Sequence, residues 1–200
     1  MCETIIITGM NEEVNKDLKD CLDVLRRGGI IIYPTDTVWG IGCDATDSKA
    51  VRRVYDLKQR TDSKALITLV DSVAALERVV DEVPEVAYQL IDVAVDPMTI
   101  VYDRGVGVAP ELLAPDGSIG VRITSEVFSK ELCRRFRRPL VSTSINISGA
   151  TSPRSFDEID PDLLKAVDYV CLTGRDKPWA SKPSTVIKLS SGGVITILRK

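Results

Sequence analysis

A chain of 200 residues with 44% hydrophobic content carries enough apolar material for one ordinary core, and a formal net charge of −3 excludes a surface that is basic all over and built for bulk nucleic-acid binding. There is no histidine, which removes Ser-His-Asp and Cys-His nucleophiles, histidine general bases and histidine-held metals in one step. Five cysteines, Cys2, Cys21, Cys43, Cys133 and Cys171, stand far apart with no C-x-x-C, so they read as small hydrophobes in a reducing compartment rather than as a disulfide framework or zinc site. No window approaches the roughly 18 apolar residues of a membrane helix, and the first ten residues lack the basic start and apolar run of a leader. A single domain over residues 1–200, without membrane contact and in the cytoplasm, is the expectation.

In chain order, Thr4 to Thr8 reads as a strand, and Asn11 then caps a helix with Val14, Leu18, Cys21, Leu22 and Leu25 on one face, ended by Gly28 and Gly29. Ile30 to Ile32 form a β-branched strand that Tyr33-Pro34 breaks, and Thr35-Asp36-Thr37 follow as a polar turn with Trp39, Gly40 and Gly42 beyond it. Asp47 opens a helix running to Lys58, Ala65 to Val70 is a strand, and Ser72 caps a helix through Val80. Pro84 precedes another helix, Glu85 to Val95, and Met98 to Tyr102 is a strand. A Gly/Pro loop from Gly105 to Gly117 leads to a strand, Ile119 to Ile123, with Arg122 at its far end, then to a helix near Ser125 to Phe136 and a strand, Pro139 to Thr143. Asp160-Pro161 begins a short helix, Tyr169 to Leu172 is a strand, and Thr185 to Leu189 pairs with Val194 to Leu198 as a hairpin. Alternating strands and helices with late hairpins predict an α/β fold, one twisted mixed sheet with flanking helices.

Three groups of residues could carry chemistry. Lys58, Arg60 and Lys64 set three cations within seven residues, suited to phosphate, although so short a run is more often a solvated, exposed basic loop. Ser142, Ser144, Asn146 and Ser148 form a hydroxyl and amide cluster directly after a strand, as Thr35-Asp36-Thr37 do, so the two turns point to one shared pocket. An ordinary turn with local side-chain bonds remains the competing reading of each. Ser184-Thr185 with Arg199 is a polar pair before a strand and an arginine after its partner. A P-loop is absent, and Gly40 to Ala45 matches G-x-G-x-x-A only after five residues that separate it from the strand, which argues against a dehydrogenase.

Taken together, Pro34 to Ala45 (PTDTVWGIGCDA), the K-x-R of Lys58 and Arg60, Val121-Arg122, the S-x-N-x-S-G of Ser144 to Gly149, and Ser184-Thr185-Val186 with Ile197-Leu198-Arg199 resemble the Sua5/YrdC/YciO family over nearly the whole chain. The resemblance implies a twisted mixed sheet around a basic concave cavity. It also implies an L-threonylcarbamoyladenylate synthase, a nucleotidyltransferase making threonylcarbamoyl-AMP and pyrophosphate from ATP, L-threonine and bicarbonate for the t6A modification of tRNA. It puts threonine near Thr37, Arg122, Ser142 and Ser184, and ATP near Arg60, Lys64, Ser118, Ser144, Asn146, Ser152 and Arg199, with Lys58 and Arg60 as the catalytic pair. Mg2+ would ride on the ATP phosphates, with no protein-held metal. A downstream tRNA-modifying transferase complex and weak tRNA binding complete the implied partners. The chain departs from the family pattern at Thr61, at Val95-Asp96-Pro97-Met98-Thr99, at Ile145, and at Leu69, which stands where a histidine is expected beside threonine. A YciO-type paralogue that binds nucleotide or RNA without catalysis is the alternative.

Such a reaction needs no protein nucleophile. It needs an anion held in line with a phosphorus atom and cations over the developing charge, which a chain without histidine can supply.

Overall fold

In a computed structural model that describes residues 10–58, 66–146, 153–176 and 183–200, the first helix, α1 (Glu12–Arg26), starts at the expected cap. The Asn11 Oδ1 accepts from the Val14 amide at 2.9 Å, and Leu18, Cys21, Leu22 and Leu25 turn inward at helical spacing. It ends where Gly28, at φ 75°, and Gly29 return their amides to the Leu25 and Val24 carbonyls. Asp47 caps α2 (Ser48–Leu57), which buries Ala50, Val51 and Val54. The strand expected at residues 4–8 lies outside the described residues.

Among the described residues the strands are β1 (Ile31–Tyr33), β2 (Gly40–Gly42), β3 (Ile67–Val70), β4 (Met98–Tyr102), β5 (Ile119–Ile123), β6 (Leu140–Ser144), β7 (Tyr169–Val170), β8 (Thr185–Leu189) and β9 (Ile195–Arg199). They form one twisted mixed sheet in the order β7-β1-β2-β6-β3-β5-β4-β8-β9. The pairs β1/β7, β3/β5 and β4/β8 are parallel and the rest antiparallel. The strand β2 is a correction. Gly-Ile-Gly has too little β propensity to be read as a strand, yet β1 and β6 bond it on both sides. Gly42 also has to be glycine, because a Cβ there would come within 2.5 Å of the Val141 carbonyl oxygen and 2.6 Å of the Tyr33 ring.

Three helices are shorter than their sequence patterns. α3 (Val73–Leu76) stops early because Val80 is drawn into a bridge with Gly105. α4 (Glu85–Val93) ends before Val95, which is 98% exposed and has nothing to pack on. α5 (Val127–Phe136) begins after Glu126, whose carboxylate caps the Phe128 and Ser129 amides. A final short helix, α6 (Pro161–Lys165), starts at Asp160 as expected.

Strand alternation decides which side of the sheet is sealed and which is left for a ligand. Ile100, Tyr102, Ile119, Val121, Ile187 and Leu189 pack with Leu76 of α3 and Ala87 of α4 on one side. The intervening residues of the same strands, Thr99, Val101, Gly120, Arg122 and Val186, line a cavity. A second core, with Leu18, Ile30, Ile32, Phe128, Leu132 and Leu140, anchors the other half of the sheet under α1 and α5. No helix among the described residues is long and apolar enough to cross a membrane.

Candidate active site

The cavity measures about 430 Å³, and Thr37, Ser118, Arg122, Ser142, Ser144, Ser184 and Arg199 all line it, drawn from positions spread over more than half the sequence. Register brings them together: Gly40 stands opposite Ser144, Ile67 opposite Ser142, and Thr99 beside Val186. The described lining holds two cations, Arg122 and Arg199, and no carboxylate, so the concave face is basic although the chain is acidic.

The turn after β1 divides its work among three side chains. Thr35 serves the turn itself: its hydroxyl donates to the Val38 carbonyl at 2.6 Å and accepts from the Thr37 amide at 3.1 Å. Thr37 faces the cavity. Asp36 turns away to meet Arg122, their side chains 5% and 3% exposed, with Oδ1 and Nη2 3.1 Å apart. That contact is not aligned as a hydrogen bond, and the Arg122 Nε has no hydrogen-bond partner among the described residues. The Nε is itself buried, so what the cavity wall offers an arriving anion is the rest of the guanidinium, while Asp36 offsets the cost of burying its charge.

Lys58 corrects the reading of an exposed basic loop. It is the C-cap of α2 and fully buried, and its Nζ donates to the carbonyls of Ser144 and Asn146 and to the Asn146 Oδ1. The Ser144 hydroxyl donates to the same Oδ1. Neither Lys58 nor Asn146 is part of the described lining; between them they shape the turn that presents Ser144. The lysine of K-x-R and the serine and asparagine of S-x-N are therefore one hydrogen-bonded unit, which no local spacing reveals. Arg60, Lys64 and Ser152 lie outside the described residues.

At the far end of the cavity the Ser184 hydroxyl lies 2.9 Å from that of Thr99, and Arg199 folds back from the last strand to donate Nε and Nη2 to the Ser184 carbonyl at 3.1 and 2.9 Å. Ser118 is fixed by Asp116, which accepts from its hydroxyl at 2.6 Å and its amide at 3.0 Å. The Ser118 hydroxyl, then its amide, then Lys188 hold the Asp116 carboxyl down at about 2. The folded-state value is depressed, so this anchor is complete above the ordinary carboxylate range and is lost only as pH falls through about 2. Thr99 is a site residue that the sequence does not single out, and Asp36, read with Thr35 and Thr37 as part of a pocket turn, instead pairs with Arg122. The alternation of Thr99 and Val101 in β4 is the signal that could have found the first, whereas the pairing of Asp36 with a residue 86 positions on (122 − 36) has no signal in one sequence.

Leu69 stands beside Arg122 in the β3/β5 register but is fully buried in the core and is not part of the cavity lining. Leu69→His is therefore expected to bury an unpaired imidazole at a cost of about 1–3 kcal/mol, lowering the melting temperature by roughly 3–10 °C and affecting both substrates alike. Thermal melts with threonine and ATP titrations check this. A threonine-selective gain at unchanged melting temperature would put position 69 in the cavity after all.

With the geometry in place, the sequence model for Sua5_yciO_yrdC, described as telomere recombination, matches residues 23–200. The chain belongs to the Sua5/YciO/YrdC family. It is 40% identical to a putative threonylcarbamoyl-AMP synthase of Methanocaldococcus jannaschii over 96% of this chain and 90% of that one. Among solved structures, Sua5 of P. abyssi complexed with L-threonine matches with a TM-score of 0.78 and 27% identity, covering 90% of this chain but 52% of the Sua5 chain, so this chain spans about half of that relative. E. coli YciO matches with a TM-score of 0.82 and 26% identity over 95% of this chain and 91% of its own. The family likeness thus extends over the whole cavity side of the sheet.

Proposed function

We propose that this protein is a threonylcarbamoyl-AMP synthase acting as a nucleotidyltransferase on ATP, L-threonine and bicarbonate. The observation that carries this reading is Arg122, a buried guanidinium on a wall of hydroxyls. Its fork suits the carboxylate of an amino acid, with Thr37, Ser142 and Ser184 placed to meet the remaining polar groups. Bicarbonate joins the threonine amine with loss of water, and the resulting carbamate oxygen attacks the α-phosphorus of ATP, expelling pyrophosphate. Arg199, Ser118 and the Ser144 turn lie on the wall assigned to ATP, and Arg60 and Lys64 are assigned to its phosphates.

The described lining offers hydroxyls and no carboxylate, which fits Mg2+ carried by ATP phosphates and water rather than held in a protein cage. When bound it would neutralise phosphate charge. The protein's own groups position the carbamate in line and face the developing charge, the two contributions that a site without a nucleophile has to supply. Transfer onto tRNA falls to a downstream transferase complex, and binding of tRNA by this acidic chain is weak in this reading.

Purified protein given ATP, threonine and bicarbonate is expected to release pyrophosphate, with release collapsing when threonine or bicarbonate is left out. Threonine-independent turnover, or none with all three present, would sink the assignment in favour of a YciO-type module that binds nucleotide or RNA.

A further inference from the structure

Cys21 and Cys171 are 150 residues apart in sequence, yet their sulfurs lie 3.1 Å from each other, both side chains fully buried. Hydrogen bonds other than the sulfur contact hold the two segments together. The Cys171 amide donates to the Ile32 carbonyl at 2.9 Å, and its carbonyl accepts from the Arg175 Nε at 2.7 Å. One turn before Cys21, Asp17 accepts from the Tyr169 hydroxyl at 2.8 Å and from the Leu172 and Thr173 amides at 3.0 and 2.7 Å. Asp17 lies within 4.8 Å of both sulfurs, which raises a metal site as the competing reading. Both of its oxygens are already filled by these donors, leaving two sulfurs and no third ligand among the described residues.

We propose that Cys21 and Cys171 are a paired thiol site that closes to an intramolecular disulfide on exchange with a low-molecular-weight disulfide. A disulfide needs about 2.05 Å between sulfurs, so closure takes about 1 Å of movement from positions already facing each other. One cysteine thiolate attacks the small disulfide and expels one thiolate. The second cysteine then attacks the mixed disulfide and expels the other, so the protein loses two protons and two electrons and the reagent becomes two thiols. Burial pushes the Cys171 thiol up and hides both sulfurs, so exchange proceeds through local opening of residues 171–176.

The link would brace one edge of the catalytic turn. Arg175 lies over the Phe156 ring at 4.3 Å, Phe156 meets Trp39 edge-on at 5.5 Å, and Trp39 follows the turn that presents Thr37. Joining residues so distant in sequence also removes freedom from the unfolded chain.

Glutathione disulfide is the probe. After incubation, alkylation under denaturing conditions and digestion, the wild type is expected to yield one peptide pair joining Cys21 to Cys171, with two glutathione thiols released per link and a melting temperature higher by about 5 °C or more. Reduction should reverse all three, and Cys171→Ser should show none. The peptide map needs no variant, so a poorly folding mutant does not blur it. The proposal is overturned if Cys21 and Cys171 both remain alkylatable, if the link joins Cys2, Cys43 or Cys133, if glutathione stays on either residue, or if the reduced protein carries stoichiometric zinc.

Discussion

Lys58→Met is expected to lower the melting temperature by roughly 5–12 °C and pyrophosphate release by about 100-fold. The methionine keeps most of the buried stem but leaves the Ser144 carbonyl, the Asn146 carbonyl and the Asn146 Oδ1 without their shared donor. Two terms oppose each other. Removing a buried ammonium recovers its desolvation cost, and the Ser144 carbonyl and Asn146 Oδ1 keep the Asn146 amide and the Ser144 hydroxyl as donors, whereas each hydrogen bond to a charged group is worth about 1.5–3 kcal/mol and three are lost together. With three acceptors on one donor the second term wins, by about 2–3 kcal/mol. Activity falls because the turn that presents Ser144 shifts, and an error on the order of 1 Å in a positioning element costs about 100-fold. Thermal melts and ATP calorimetry check both halves. A melting temperature within a degree of wild type would mean that Lys58 is a solvated loop cation.

Arg122→Lys is expected to raise the threonine KM tenfold or more while the ATP KM stays close to wild type. Lysine retains the charge facing Asp36 but has a single point of contact, so the planar fork that would grip a carboxylate is lost. Losing about 1.5–3 kcal/mol of charged hydrogen bonding corresponds to roughly one to two powers of ten in affinity. Because the ammonium can still meet Asp36, folding is largely kept, and the variant separates binding from stability. A defect confined to ATP would reassign Arg122 to the nucleotide, and wild-type kinetics would leave it as a structural partner of Asp36.

Local chemistry determined much of this protein from its sequence. The caps at Asn11 and Asp47, the glycine stop at Gly28 and the β-branched runs of the sheet act within a few residues, so they are visible without any fold. The two hydroxyl turns were legible for the same reason: polar residues directly after apolar strands mark strand ends. That Thr37, Ser142, Ser144 and Ser184 face one cavity follows from register, which the tertiary structure supplies. Gly40–Gly42 became a strand only because β1 and β6 offer it hydrogen bonds on both sides, overriding poor propensity. Lys58 read as surface because its neighbours Arg60 and Lys64 are charged, and only the fold shows it buried against carbonyls 86 and 88 residues away. The Asp36–Arg122 pair and the facing sulfurs of Cys21 and Cys171 have the same origin. Sequence patterns report interactions over one helical turn or one strand, whereas a buried charge or thiol is placed by contacts across the sheet, where chain separation carries no information about distance in space.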